Sequence, residues 1–173
     1  LSAQEQNQGQ ILLCQSKALS DSTSEARERA GGGALEIRTL PCRVIELSKL
    51  AHDVMGLQLK LPEGKTLEYL AGQYIDILLR DGRRRSFSIA NRPEAGSNLE
   101  LHVRQVPNGR FTGHVFEGLK ERELLRFQGP FGTFFLRPDS TGPVILMAGG
   151  TGLAPIKAIL EEAFHQGIDR RFH

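Results

Sequence analysis

Cysteine is scarce in this chain, which has only Cys14 and Cys42. The two could in principle form one disulfide. Nothing else in the sequence suggests a small, stapled, secreted scaffold, and a reducing cytoplasm suits it better. Long apolar runs are also missing, so no segment can cross a membrane as a helix. An excess of one charge is lacking too: 22 Lys and Arg against 20 Asp and Glu leave a net charge of +2, too small to imply a nucleic-acid partner for the whole chain. The histidines, His52, His102, His114, His165 and His173, have no metal-ligand spacing, and no serine–histidine–acid constellation can be assembled. The chain starts at Leu1 rather than methionine and stops at His173, soon after a helical stretch, which points to a piece of a longer protein. A signal-peptide test therefore does not apply. What is present is globular in composition, 39% hydrophobic and 24% charged. The length suits one domain with fragments of its neighbours.

Three segments follow from composition and periodicity. Residues 1–33 hold a short apolar run, "GQILLC", ending on Cys14, and then "QSKALSDSTSEARERAGGG", a polar, glycine-terminated stretch suited to a flexible link. Residues 34–138 are dense in strand signals. "LQLKL" and "LELHVRQV" alternate by two, and "QYIDILLRDGRRRSFSIAN" reads as two strands joined at Asp81-Gly82, a dipeptide suited to a tight hairpin turn. One helix interrupts them, "TGHVFEGLKE", with Thr112 available as its N-cap. Several short strands with one helix predict a mainly β fold, a small closed barrel. Residues 139–173 change character. "PVILMAGG" is continuously apolar, as in a strand buried on both faces of a parallel sheet. "GLAPIKAILEEAFHQG" then places Ile156, Ile159, Leu160, Ala163 and Phe164 at helical spacing, with Pro155 near the start and Gly167 at the end. This is the opening strand, turn and helix of an α/β nucleotide-binding domain.

Four motifs carry possible chemistry. In "RSFS" the alternation puts Arg85 and Phe87 on one face and Ser86 and Ser88 on the other. Arginine beside an aromatic can hold a phosphate and a flat ring, although charge alone can also solubilise an edge strand. "NGRFT" offers Gly109 and Thr112 at a helix start, either an ordinary cap or a phosphate cradle of free amides. "GPFGTFFL" is a tight bend or a wall for a planar ligand. Gly149, Gly150 and Gly152 lie between strand and helix, where a tight turn and a dinucleotide site look alike. Their spacing is not that of the Rossmann fingerprint.

Taken in order, "RSFS", "GRFT", "GPFGTF" and "GGTGLAPI" resemble the ferredoxin–NADP reductase superfamily. The resemblance implies a six-stranded antiparallel FAD-binding barrel with one capping helix, followed by an NAD(P)-binding domain. It implies that Arg85 contacts the flavin pyrophosphate, that Phe87 lies against the isoalloxazine or its neighbouring groups, and that Ser88 sits near N5 as the residue most able to influence transfer. Phe87 departs from the usual tyrosine, keeping the ring and losing a hydroxyl. Gly109 and Thr112 match the turn whose amides hold the phosphates, and Gly150, Thr151 and Gly152 become neighbours of the nicotinamide. Arg83 and Arg84 are outside the motif and are expected to be solvated or to steer an acidic partner. "ILLCQSKALSD" is similar to the tail of a plant-type [2Fe–2S] ferredoxin domain, with Cys14 as a cluster ligand and three partner cysteines upstream. Ferredoxin, flavin barrel and nucleotide domain in that order match the oxygenase reductases and the reductases of 3,6-dideoxyhexose biosynthesis, which pass electrons from NAD(P)H to an oxygenase or a dehydratase. A simple flavin reductase is an alternative. A nucleic-acid-binding barrel using the arginine cluster is an alternative of another class.

Overall fold

The structure, a computed structural model, describes residues 35–93 and 98–173, together with Asn7. Six strands form one antiparallel sheet: β1 (Arg38–Ala51), β2 (Val54–Lys60), β3 (Tyr74–Leu78), β4 (Arg84–Ser88), β5 (Leu99–Arg104) and β6 (Leu124–Phe131). Their order is β4-β3-β6-β1-β2-β5. The sheet closes on itself where Ile89, just after β4, pairs with Leu101 of β5 and the Ala90 amide donates to Glu100 O at 2.7 Å. Closure removes both sheet edges, and the inward residues fill the interior. Leu57, Leu59, Ile75, Ile77, Ile89, Leu101 and Phe127 are fully buried there. The 14-residue β1 pairs with β6 through Arg38–Arg43 and with β2 from Arg43 onward, with an irregularity between Val44 and Glu46 where the strand changes partner.

The β3–β4 hairpin turns where the sequence predicts. The Gly82 amide donates to Leu79 O and the Leu79 amide to Arg83 O, and Gly82 takes φ +79°, which its missing Cβ permits. The barrel's helix α1 spans Arg110–Glu117 and buries Phe111, Thr112 and Val115. Its N-cap is Gly109 rather than the expected Thr112, which lies inside the first turn.

Beyond the barrel, Gly150–Gly152 form a single 3₁₀ turn leading into α2 (Leu153–His165). The helix ends as expected at Gly167, φ +64°, with Ile168 N bonded to Ala163 O and Gly167 N to Phe164 O, a Schellman arrangement. Ala154, Ile156, Ala158, Ile159 and Ala163 face inward, whereas Phe164 is 70% exposed and meets Phe172 edge-on at 6.1 Å. The apolar run before the turn makes one parallel bridge, from Val144 to Phe172. Val144 and Leu146 are half-buried, whereas Ile145 and Met147 are 78% and 89% exposed. Among the described residues only 171–173 pair with it.

Candidate flavin and nucleotide site

The local sequence of β4 dictates its two faces. Phe87 pairs across with Ile75 and Arg85 with Ile77, both core residues, so Arg85 and Phe87 look toward the barrel's helix-capped end. Ser86 and Ser88 look outward, opposite Asp76 and Tyr74. Ser86 Oγ donates to Asp76 Oδ1 at 2.6 Å. The Ser88 hydroxyl is half-buried and has no hydrogen bond among the described residues.

Tertiary contacts then bring three of the motifs around β3 and β4, and the fourth to the end of β5. The Phe87 ring lies 5.5 Å from that of Phe111 in the first turn of α1, which joins "RSFS" to "GRFT". Tyr74, opposite Ser88, packs on Phe131 at 5.6 Å, and a Cβ at Gly132 would press on the Tyr74 ring at 3.0 Å, so "GPFGTF" bends beside the same strand. The GTG turn approaches from the far side: a Cβ on Gly150 would stand 3.6 Å from Arg104 Nη1 at the end of β5. Thr151 and Gly152 belong to the same turn, with Gly152 N bonded to Gly149 O at 3.0 Å.

The arginines separate by partner. Arg83 grips Asp81 at 2.6 Å and, with Arg110 at 3.6 Å, holds its carboxyl down to about 2. Arg84 Nη1 donates to Gln128 Oε1. Both are exposed to solvent while making these contacts. Arg104 is bound to Asp53 at 2.7 Å, and this hydrogen bond keeps the Asp53 carboxyl below its usual range. Arg85 is exposed, donates only to the carbonyl of Arg84, and has no carboxylate partner among the described residues.

An anion cradle lies at the start of α1, whose Phe111 meets Phe87. No side chain caps α1, and its first intrahelical bond runs from Gly113 N to Gly109 O at 2.7 Å, which leaves the amides of 110–112 without an intrahelical acceptor. Thr112 Oγ1 faces inward, accepting from Val106 N at 3.2 Å and lying 3.3 Å from Gly109 O. The threonine braces the loop, and the backbone remains as the donor. A cleft of about 690 Å³ runs along this loop, lined by Asp53, Arg104, Asn108, Gly109, Arg110 and Gly113 among others. An arginine without a carboxylate partner among the described residues, helix amides without an intrahelical acceptor and an aromatic ring suit a flavin nucleotide.

Two of these features were not singled out in the sequence. Arg104 and its holder Asp53 frame the joint between barrel and GTG turn; the alternation of "LELHVR" already put Arg104 on β5's outer face, but its partner is distant in sequence. Cys14 lies outside the described residues. Among those residues His, Cys, Asp and Glu form no metal-binding group. Cys42 is buried, and burial raises its thiol to about 12.

Comparison with known proteins shows the family. The family profile for the oxidoreductase FAD-binding domain matches residues 41–136. The chain is 42% identical over 165 residues to the CDP-6-deoxy-L-threo-D-glycero-4-hexulose-3-dehydrase reductase of Yersinia pestis, covering 95% of this chain and 50% of that protein. It is 39% identical to the reductase component 1 of terephthalate 1,2-dioxygenase from Comamonas sp., covering 93% and 48%. Among solved structures, the ferredoxin reductase in carbazole 1,9a-dioxygenase superposes with a TM-score of 0.74 at 28% identity, covering 81% of this chain and 42% of that one. The chain belongs to the FAD-binding oxidoreductase domain family of the ferredoxin reductase type. It spans about half the length of the curated relatives it matches.

Proposed function

We propose that the chain is part of an NAD(P)H-dependent flavoprotein reductase that relays electrons to a protein partner, the dehydratase of 3,6-dideoxyhexose biosynthesis, as a CDP-6-deoxy-Δ3,4-glucoseen reductase does. Bound FAD would supply the redox chemistry, taking a hydride as an electron pair and releasing electrons singly to a [2Fe–2S] centre. The chain's own residues bind and orient. Arg85 and the amides of 110–112 hold the pyrophosphate, with Gly109 keeping the loop close and Thr112 bracing it. Phe87 walls the ring, and the free hydroxyl of Ser88 is the hydrogen-bonding group offered at the reacting edge. Gly150, Thr151 and Gly152 let a nicotinamide approach closely beside Arg104. Residues 34–138 form the flavin domain and 139–173 the beginning of the nucleotide domain. Residues 1–33 are the tail of a ferredoxin domain and its linker, with Cys14 as one of four cluster ligands. A cytoplasmic setting follows from that redox role.

The observation that carries the flavin reading is Arg85, without a carboxylate partner, on the strand whose Phe87 meets the uncapped turn of α1. The choice of a dehydratase as client is supported by the Yersinia relative. An oxygenase is the second reading, supported by the Comamonas relative. Purification under mild conditions tests both levels. A yellow protein releasing FAD on denaturation supports the flavin reading, and transfer of electrons from NADH to the purified dehydratase, but not to a dioxygenase, supports the first client. A colourless protein that binds single-stranded nucleic acid in a salt-sensitive way overturns the whole reading.

A further inference from the structure

We infer that Lys157 is a positioning residue: it clamps α2, the helix that follows the GTG turn, onto β5 and onto the residues that follow "RSFS", and so sets how the GTG turn faces β4. The functional half of this inference rests on the electron-transfer reading above.

Lysine has three donors, and Lys157 uses all three. Its Nζ donates to Ala90 O at 3.0 Å, to Glu100 Oε2 at 3.0 Å and to Glu161 Oε1 at 2.9 Å. Each carboxylate then reaches a further segment. Glu161 Oε2 accepts from the Arg92 amide at 3.2 Å. Glu100 Oε1 meets His102 Nε2 at 2.8 Å. One side chain therefore ties together residues 90–92, β5 and α2. Ala90 stands two positions beyond the end of β4, and Lys157 stands one turn into the helix that begins at the GTG turn.

Two observations separate this cluster from an ordinary surface ion pair, which holds little. The side chains of His102 and Glu100 are only 9% and 17% exposed, although both project from the outer face of β5. The buried side chains of α2 are small or aliphatic, Ala154, Ile156, Ala158, Ile159 and Ala163, and the cluster they join is compact, with Ala71, Ala158 and Ile159 buried together and Leu136 packed against them. Alanine-rich contacts can slide, whereas charge-assisted hydrogen bonds hold only in a narrow geometry. The polar clamp therefore adds the directional constraint that this apolar contact lacks.

The test compares Lys157→Met, which keeps the stem, with Lys157→Arg, which restores charge and donors, by hydrogen–deuterium exchange and by rapid-mixing reduction with NADH. In Lys157→Met the amides of 153–165 should exchange about tenfold faster while those of β1–β6 keep their protection. FAD content should be unchanged, and the limiting rate of flavin reduction at saturating NADH should fall about tenfold, with partial recovery in Lys157→Arg. Unchanged helix exchange overturns the clamp. Faster exchange with an unchanged limiting rate overturns the positioning role. Should Lys157→Met fail to fold, Glu161→Gln, at a half-exposed position, should loosen the same helix by a smaller factor, and no loosening there overturns the clamp equally. If the unsubstituted protein takes up no flavin, the electron-transfer reading fails, while the exchange comparison still decides whether the clamp exists.

Discussion

Two glycines of the flavin-side turn should respond with opposite sign to the same substitution. Gly109 has backbone angles that alanine tolerates, φ −74° and ψ 111°, so only space is at stake. A Cβ there would meet Thr112 Oγ1 at 2.4 Å and Val106 O at 2.9 Å. Neither contact can stand, so the threonine must swing away and give up its bonds to Val106 N and Gly109 O. At roughly 0.5–1.5 kcal/mol each, those two bonds make Gly109→Ala destabilising by about 1–3 kcal/mol. Because the amides of 110–112 move with the loop, FAD binding should weaken about tenfold or more. At Gly113 a Cβ would meet nothing within 4 Å. Gly113→Ala sits inside a helix and should stabilise the flavin-free protein by about 0.5–1 kcal/mol. Urea unfolding of the flavin-free proteins reads the difference, about 1.5–4 kcal/mol in total, as a separation of midpoints of about 1 M. Calorimetric titration with FAD reads the affinity. Midpoints that move in the same direction, or a Gly109→Ala protein with unaltered FAD affinity, would refute the reasoning.

Other expectations concern the core, the clamp and the reacting edge. Phe127, fully buried in the barrel, should cost about 3–5 kcal/mol when truncated to alanine, measured by the same urea midpoints. Glu100 is held down to about 2 by its hydrogen bond with His102, with a further contribution from Lys157. A depressed carboxylate contributes stability above its unfolded value of 4.5 and loses it as pH falls toward 2, so Glu100→Gln should flatten the acid limb of a stability–pH profile in that window. Cys42, raised to about 12 by burial, should resist alkylation at neutral pH until the protein is unfolded, which peptide mapping after timed labelling reads directly. Ser88→Ala should slow flavin reduction by NADH while leaving FAD content intact; an unchanged rate removes Ser88 from the transfer step.

Much of the site could be read in the chain. The period-two pattern of "LELHVR" assigned inward and outward residues correctly, because a strand has only two faces and burial selects one of them, and in "RSFS" it put Arg85 and Phe87 on one face, as their pairing with Ile77 and Ile75 shows. The Asp81-Gly82 turn and the Gly167 stop were equally legible, since each depends on a local backbone conformation that few residues adopt. For "PVILMAGG" composition states what a segment can bury and not what lies against it, and among the described residues Ile145 and Met147 are exposed. Thr112 misled: a threonine near a helix start is a candidate cap in any sequence, and only the path of the 106–109 loop turns its hydroxyl inward.

The amino-acid order by itself therefore determined four of the six strands, β2 to β5, the hairpin, the two helices and the order of four motifs, all of which follow from interactions between residues close in the chain. Tertiary structure decided which arginines are held by distant carboxylates, how the barrel closes between Ile89 and Leu101, and that Asp53 holds Arg104 and Lys157 holds Glu100. Those pairings join residues far apart in sequence, where no local pattern records which partner the folded chain will present.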